Sequence, residues 1–86
     1  MKLKREFIVH HAGDETVLVP AGGAGFSGIV RGNRTLGAIL DLLKENTSEE
    51  ALVTSLAERF DAPQETIRQD VRRTLAELRQ IGALDG

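Results

Sequence analysis

Apolar residues change their spacing once along the chain. Before Gly32 they come in short runs bounded by glycine, proline and charged residues. After it they recur at intervals of three and four. The first regime predicts strands and the second helices. Glu6 to His11 reads as a strand ending at the turn signal Ala12-Gly13-Asp14. Glu15 to Pro20, carrying Thr16-Val17-Leu18-Val19, reads as its hairpin partner. Ala21-Gly22-Gly23-Ala24-Gly25 is a loop sequence, and Phe26 to Arg31 reads as a third short strand. Gly28 inside that strand weakens pairing but lets another backbone approach closely.

Three helices follow. Asn33 is a candidate N-cap for the first, whose apolar positions are Leu36, Ile39, Leu40 and Leu43, with an end near Asn46. Thr47 or Ser48 caps the second, and Glu50 three residues after Thr47 completes a capping-box pattern. Leu52, Val53, Leu56, Ala57 and Phe60 supply its apolar face. The last helix runs from Pro63 to Ile81, with Ile67, Val71, Leu75, Leu78 and Ile81 forming one stripe. Gly82 stands where a left-handed C-cap is wanted, and Leu84 is expected to fold back on the last turn.

At ~100° per residue the stripe has two charged borders. Arg68, Arg72 and Arg79 lie on one, and Asp70 and Glu77 on the other, with Arg73 between them at ion-pairing spacing. Strands first and helices afterwards argue an α+β fold: a three-stranded antiparallel sheet followed by three helices, in one domain spanning 1–86. Such a sheet has open edges. A meander puts the third strand at one of them, and its run into the first helix allows the last helix to lie beside it.

Composition narrows the functions. With three phenylalanines and no tryptophan or tyrosine, the core is aliphatic. No cysteine is present, which excludes disulfides, thiolate metal sites and a cysteine nucleophile. A net charge of −2 gives no general pull towards nucleic acid. The basic start, Lys2 to Arg5, is followed by too short an apolar run for a signal sequence, and no run approaches membrane-spanning length; a cytoplasmic protein is expected.

Gly23-Ala24-Gly25-Phe26-Ser27-Gly28 fits a dinucleotide fingerprint as a string, but an extended stretch follows it where that site needs a helix. His10 and His11 are neighbours on a strand and point to opposite faces, so they do not share a metal. Ser27, Ser48 and Ser55 belong to no nucleophile motif. No catalytic, metal or cofactor residue is therefore assigned, and no enzyme is expected. Three readings of binding remain. Arg68, Arg72 and Arg79 could face phosphates in a winged-helix DNA-binding regulator, although no basic wing accompanies them. The open edge could pair with its own copy. Or an extended peptide could add to Phe26–Arg31, with apolar anchors on Ile67, Val71 and Leu75 and acidic side chains on Arg68 and Arg72.

The succession Arg31-Gly32-Asn33-Arg34-Thr35-Leu36-Gly37-Ala38-Ile39-Leu40, then Thr47-Ser48-Glu49-Glu50, then Arg68-Gln69-Asp70-Val71 with Leu75, Leu78 and Gly82-Ala83-Leu84, resembles the PqqD family. The family is named for a protein of pyrroloquinoline quinone biosynthesis, and the likeness runs through nearly the whole chain. It implies a winged-helix-like domain that recognises leader segments of ribosomally made, post-translationally modified peptides. The leader would lie as an extra strand on the third strand, against the last helix, and be delivered to a modifying enzyme, often a radical S-adenosylmethionine enzyme. The corresponding peptide-binding positions are Phe26, Ser27, Gly28, Ile29, Val30 and Arg31 on the strand, and Ile67, Arg68, Val71, Arg72 and Leu75 on the helix. Asp70 matches a recurrent acid of the family, and we assign it to structure or a salt bridge rather than to catalysis. Many members carry a large aromatic in the first helix, where this chain has Ile39-Leu40.

Overall fold

A two-residue turn sets the register of the sheet. In the computed structural model, which describes residues 1–20 and 30–85, strand β2 (Phe7–Ala12) pairs antiparallel with β3 (Glu15–Pro20). Gly13 takes φ +64° at the first central position of the connection, where a residue with a Cβ would be strained. Strand β4 (Val30–Gly32) then joins β3, with Leu18 opposite Val30 and Thr16 opposite Gly32. The order is β2-β3-β4, so among the described residues β2 and β4 are the edges. Side chains alternate across it. Phe7, Leu18 and Val30 are buried towards the helices, while Ile8, His10, Val17 and Arg31 share the opposite face through their cross-strand pairs.

The helices occupy the expected stretches with adjusted ends. Helix α1 (Arg34–Leu42) is capped by Asn33, whose side chain accepts from the Thr35 N–H at 3.1 Å. It stops short of Asn46 because the Leu43 carbonyl accepts from the Leu3 N–H, 2.8 Å away, instead of continuing the helix. Helix α2 (Glu49–Arg59) uses Ser48, not Thr47, as its cap, with Oγ accepting from the Ala51 N–H at 3.2 Å. The Thr47–Glu50 capping box is therefore not formed. Ala57 is exposed and Phe60 half-buried, so Leu52, Val53 and Leu56 carry the buried face of α2. Helix α3 (Gln64–Gln80) begins after Pro63 and ends in a Schellman arrangement. Gly82 has φ +75°; its N–H donates to the Arg79 carbonyl and the Ala83 N–H to that of Leu78. Leu36, Ile39, Leu40, Leu43, Leu52, Val53, Leu56, Ile67, Val71, Leu75 and Leu78 all pack into one aliphatic core.

Two further strands depart from the sequence reading. Leu84 joins the core beside α3 as expected, but as part of β5 (Leu84–Asp85), which pairs antiparallel with β1 (Lys2–Leu3). Leu3 and Leu84 face each other, and both are buried. Elements of two residues leave no periodicity to detect, so only the pairing of the chain's two ends reveals them.

Gly37 is where α1 meets the sheet. A Cβ there would stand 2.6 Å from Thr16 Oγ1, inside any tolerable contact, and Thr16 is buried. Alanine normally improves a helix position over glycine by ~1 kcal/mol. Overpacking a close contact costs about 1–3 kcal/mol. Gly37→Ala is therefore expected to destabilise the domain by roughly 1–2 kcal/mol in urea unfolding. A stabilised variant would show that Thr16 yields freely.

Candidate functional site

β4 has β3 on one side and, among the described residues, no strand on the other. Beside that open edge a groove of about 180 Å³ separates it from α3. Its deeper surface comes from Val30, Leu36 and Thr74, all buried. Gly32 makes this surface possible. A Cβ on Gly32 would meet Leu36 Cδ2 at 2.7 Å, so the bare backbone lets the first turn of α1 close over the end of the strand. The rim on α3 is polar, with Asp70, Arg73 and Glu77; Arg31 of β4 borders the groove at a strand position that alternates to the opposite face of the sheet. Positions 70, 73, 74 and 77 share one side of the helix, because three and four residues make one turn. Arg73 Nη2 donates to Asp70 Oδ1 at 3.0 Å, which commits that arginine to its own helix. Glu77 has no cation within ion-pairing distance among the described residues.

The residues chosen from the sequence separate into three groups. Val30 and Arg31 line the groove. Phe26, Ser27, Gly28 and Ile29, like the glycine-rich string of residues 23–28, lie outside the described residues. Among the described residues the chosen helix positions do not line it. Ile67, Val71 and Leu75 are core residues, with Val71 at 0% exposure. Arg68 and Arg72 face α2, where Arg68 donates to both carboxylate oxygens of Glu50 and Arg72 Nε to Glu49 Oε2 at 3.1 Å. The acidic first turn of α2 thus takes up the basic border of α3. Asp70, expected to serve structure or a salt bridge, does form an ion pair, and it does so at the groove. The sequence showed two charged borders; nothing local said which one lies beside the strand.

Arg68 leaves a signature at Glu50. Its hydrogen bond, then its charge, hold the Glu50 carboxyl below the usual glutamate range. A depressed folded-state value stabilises the native state above the unfolded pKa of glutamate. That contribution is lost as pH falls through the folded value. In Arg68→Gln, NMR titration is expected to return Glu50 to the ordinary range. An unchanged Glu50 titration would mean that the pair does not persist in solution.

One other cluster has the residue types of a catalytic relay. His11 Nδ1 is 3.1 Å from Thr16 Oγ1, and its Nε2 is 3.4 Å from Asp41 Oδ1. Thr16 is only 3% exposed and its hydroxyl is packed under Gly37, which makes it a poorly placed nucleophile. The cluster ties the hairpin to α1. Among the described residues no group of His, Asp and Glu side chains could hold a metal ion, and no helix is long and apolar enough to cross a membrane.

Residues 15–84 match the family profile described as "Coenzyme PQQ synthesis protein D (PqqD)". No curated protein matches the chain. Two solved structures resemble it over nearly their full length. The first, described as "TbiB1 in Complex with the TbiA(beta) Leader Peptide", has a TM-score of 0.72 at 22% identity, covering 99% of this chain and 100% of that one. The second, "Lasso peptide synthetase B1 complexed with the leader peptide", has a TM-score of 0.71 at 20% identity, covering 95% of this chain and 93% of that one. At these identities the likeness is one of fold.

Proposed function

The chain belongs to the PqqD family, and on that footing we propose that it is a non-catalytic adaptor that binds the leader segment of a ribosomally made precursor peptide. The observation that carries this reading is the open edge of β4 with a groove beside it, floored by Val30, Leu36 and Thr74. An extended leader adds to the edge through main-chain hydrogen bonds and sends alternate side chains into the groove. Both chains of like fold are described as leader-peptide complexes, which supports the same ligand class here. The strand contacts include Val30 and Arg31, and we extend them to Phe26, Ser27, Gly28 and Ile29, the stretch leading into β4. On α3 the contacts shift from Arg68 and Arg72 to Asp70, Arg73, Thr74 and Glu77.

Holding the leader makes the encounter of the rest of the precursor with a modifying enzyme local, which raises its effective concentration without any chemistry in the adaptor. We assign that enzyme to the radical S-adenosylmethionine class on the family resemblance, and place the pair in the cytoplasm, where precursors are made. The DNA-binding alternative loses its main support once Arg68 and Arg72 are paired with Glu50 and Glu49. Cations already matched to carboxylates release few counterions from a duplex.

The test is an amide-shift titration of the labelled domain with the leader of a precursor encoded beside it and, separately, with duplex DNA. The leader is expected to move Val30–Gly32 and the Asp70–Glu77 side of α3. Shifts at Arg68 and Arg72 with DNA, with no response of β4 to the leader, would replace the adaptor by a DNA-binding protein. A mass that rises with concentration in the absence of ligand would instead point to pairing of β4 with its own copy.

A further inference from the structure

We infer that the groove selects a peptide carrying a lysine or arginine two residues away from an apolar residue; this rests on the edge-binding reading above. The argument starts from charge. The helical wall of the groove holds Asp70, Arg73 and Glu77, and Arg73 is held by Asp70 at 3.0 Å. That leaves Glu77, an exposed carboxylate without a cation of its own among the described residues, as the unmatched group on this wall. The two arginines that would have favoured an acidic ligand lie on the α2 side and are already paired. The groove therefore inverts the charge preference suggested by the sequence of α3.

Geometry supplies the spacing. A strand added to β4 sends every second side chain towards α3, about 7 Å apart. Val30 and Leu36 supply the apolar part of a lining that is otherwise polar, a place for one apolar side chain. The neighbouring inward position, one step along the ligand strand, comes within reach of Glu77 for a side chain as long as lysine or arginine. Intervening ligand residues point to the other face of the sheet, where Arg31 stands in register with Val17. A carboxylate is favoured there and a cation is not. The selected pattern is thus an apolar residue and a cation at i and i±2, with no second cation between them.

The experiment pans a library of random peptides, long enough to span β4, in parallel over the wild-type domain and over Glu77→Lys. Glu77 is exposed, so the variant is expected to keep the wild-type melting temperature. The wild-type pool is expected to enrich Lys or Arg two positions from an apolar residue. The Glu77→Lys pool is expected to replace that cation by Asp or Glu. A peptide from the wild-type pool whose cation is changed to Glu should bind the wild type roughly 3–10-fold more weakly and recover on Glu77→Lys. Pools that protect the Val30–Gly32 amides from exchange yet show no charge preference at that position overturn this inference and leave the edge-binding reading standing. Pools that protect other amides, or no enrichment at all, overturn both.

Discussion

Val71→Asp is expected to unfold the domain, not to weaken a binding surface. Val71 is fully buried in the common core on α3, the helix that packs against α2, so a carboxylate there would be taken out of water. Burying an unpaired carboxylate costs several kcal/mol or forces it to protonate, and the valine packing is lost as well. A domain this small has a total stability near the low end of about 5–15 kcal/mol, so one such change consumes most of it. The chain has no tryptophan or tyrosine, which makes far-UV circular dichroism with a urea series the practical readout. A variant that stayed fully helical and lost only peptide affinity would place Val71 at the surface and refute its position in the core.

The second large effect belongs to the strands that close the chain on itself. Leu3 and Leu84 are cross-strand partners in β1 and β5, and both are buried in the common core. The Leu3 N–H also donates to the Leu43 carbonyl, and the Lys4 N–H to that of Ala83, each at 2.8 Å. These bonds survive substitution by alanine, so the loss comes from packing. Leu3→Ala and Leu84→Ala should each cost about 2–3 kcal/mol, towards the lower end for buried leucines because both sit near the surface. For a domain of this length that lowers the melting temperature by on the order of 10–20 °C. Since the two side chains meet, the double variant should lose less than the sum. Full additivity would mean that the pair does not touch.

The same two regions show what was legible in advance. The hairpin was readable because Gly13 supplies a positive φ between two runs of β-branched residues, and the structure keeps Glu15–Pro20 as a strand end to end. All three helices were readable from their apolar intervals, and Asn33 and Gly82 mark ends by chemistry that acts within a few residues. The choice between Thr47 and Ser48 was not settled, since both carry a hydroxyl and Glu50, which would have decided it, turns to Arg68. β1 and β5 leave no signal in the sequence because each is two residues long and made by its partner.

The candidate site divides along the same line. The idea of an open third strand needed only element order, which sequence carries. The assignment of Arg68 and Arg72 to it needed a side of α3, which sequence does not carry. Periodicity groups the residues that share a helix face, but a helix with one apolar seam has two flanks that are equivalent until neighbours are placed. α2 docks with its first turn against the Arg68 side, where Glu49 and Glu50 neutralise it, and that leaves the Asp70–Glu77 side to β4. The hairpin, the three helices, the Asn33 and Gly82 caps and the aliphatic seam are legible in the sequence, because they depend on interactions within a turn or two of the chain. Which flank borders the groove, and which charges remain unmatched in it, follow from contacts between residues far apart in sequence and are visible in the fold alone.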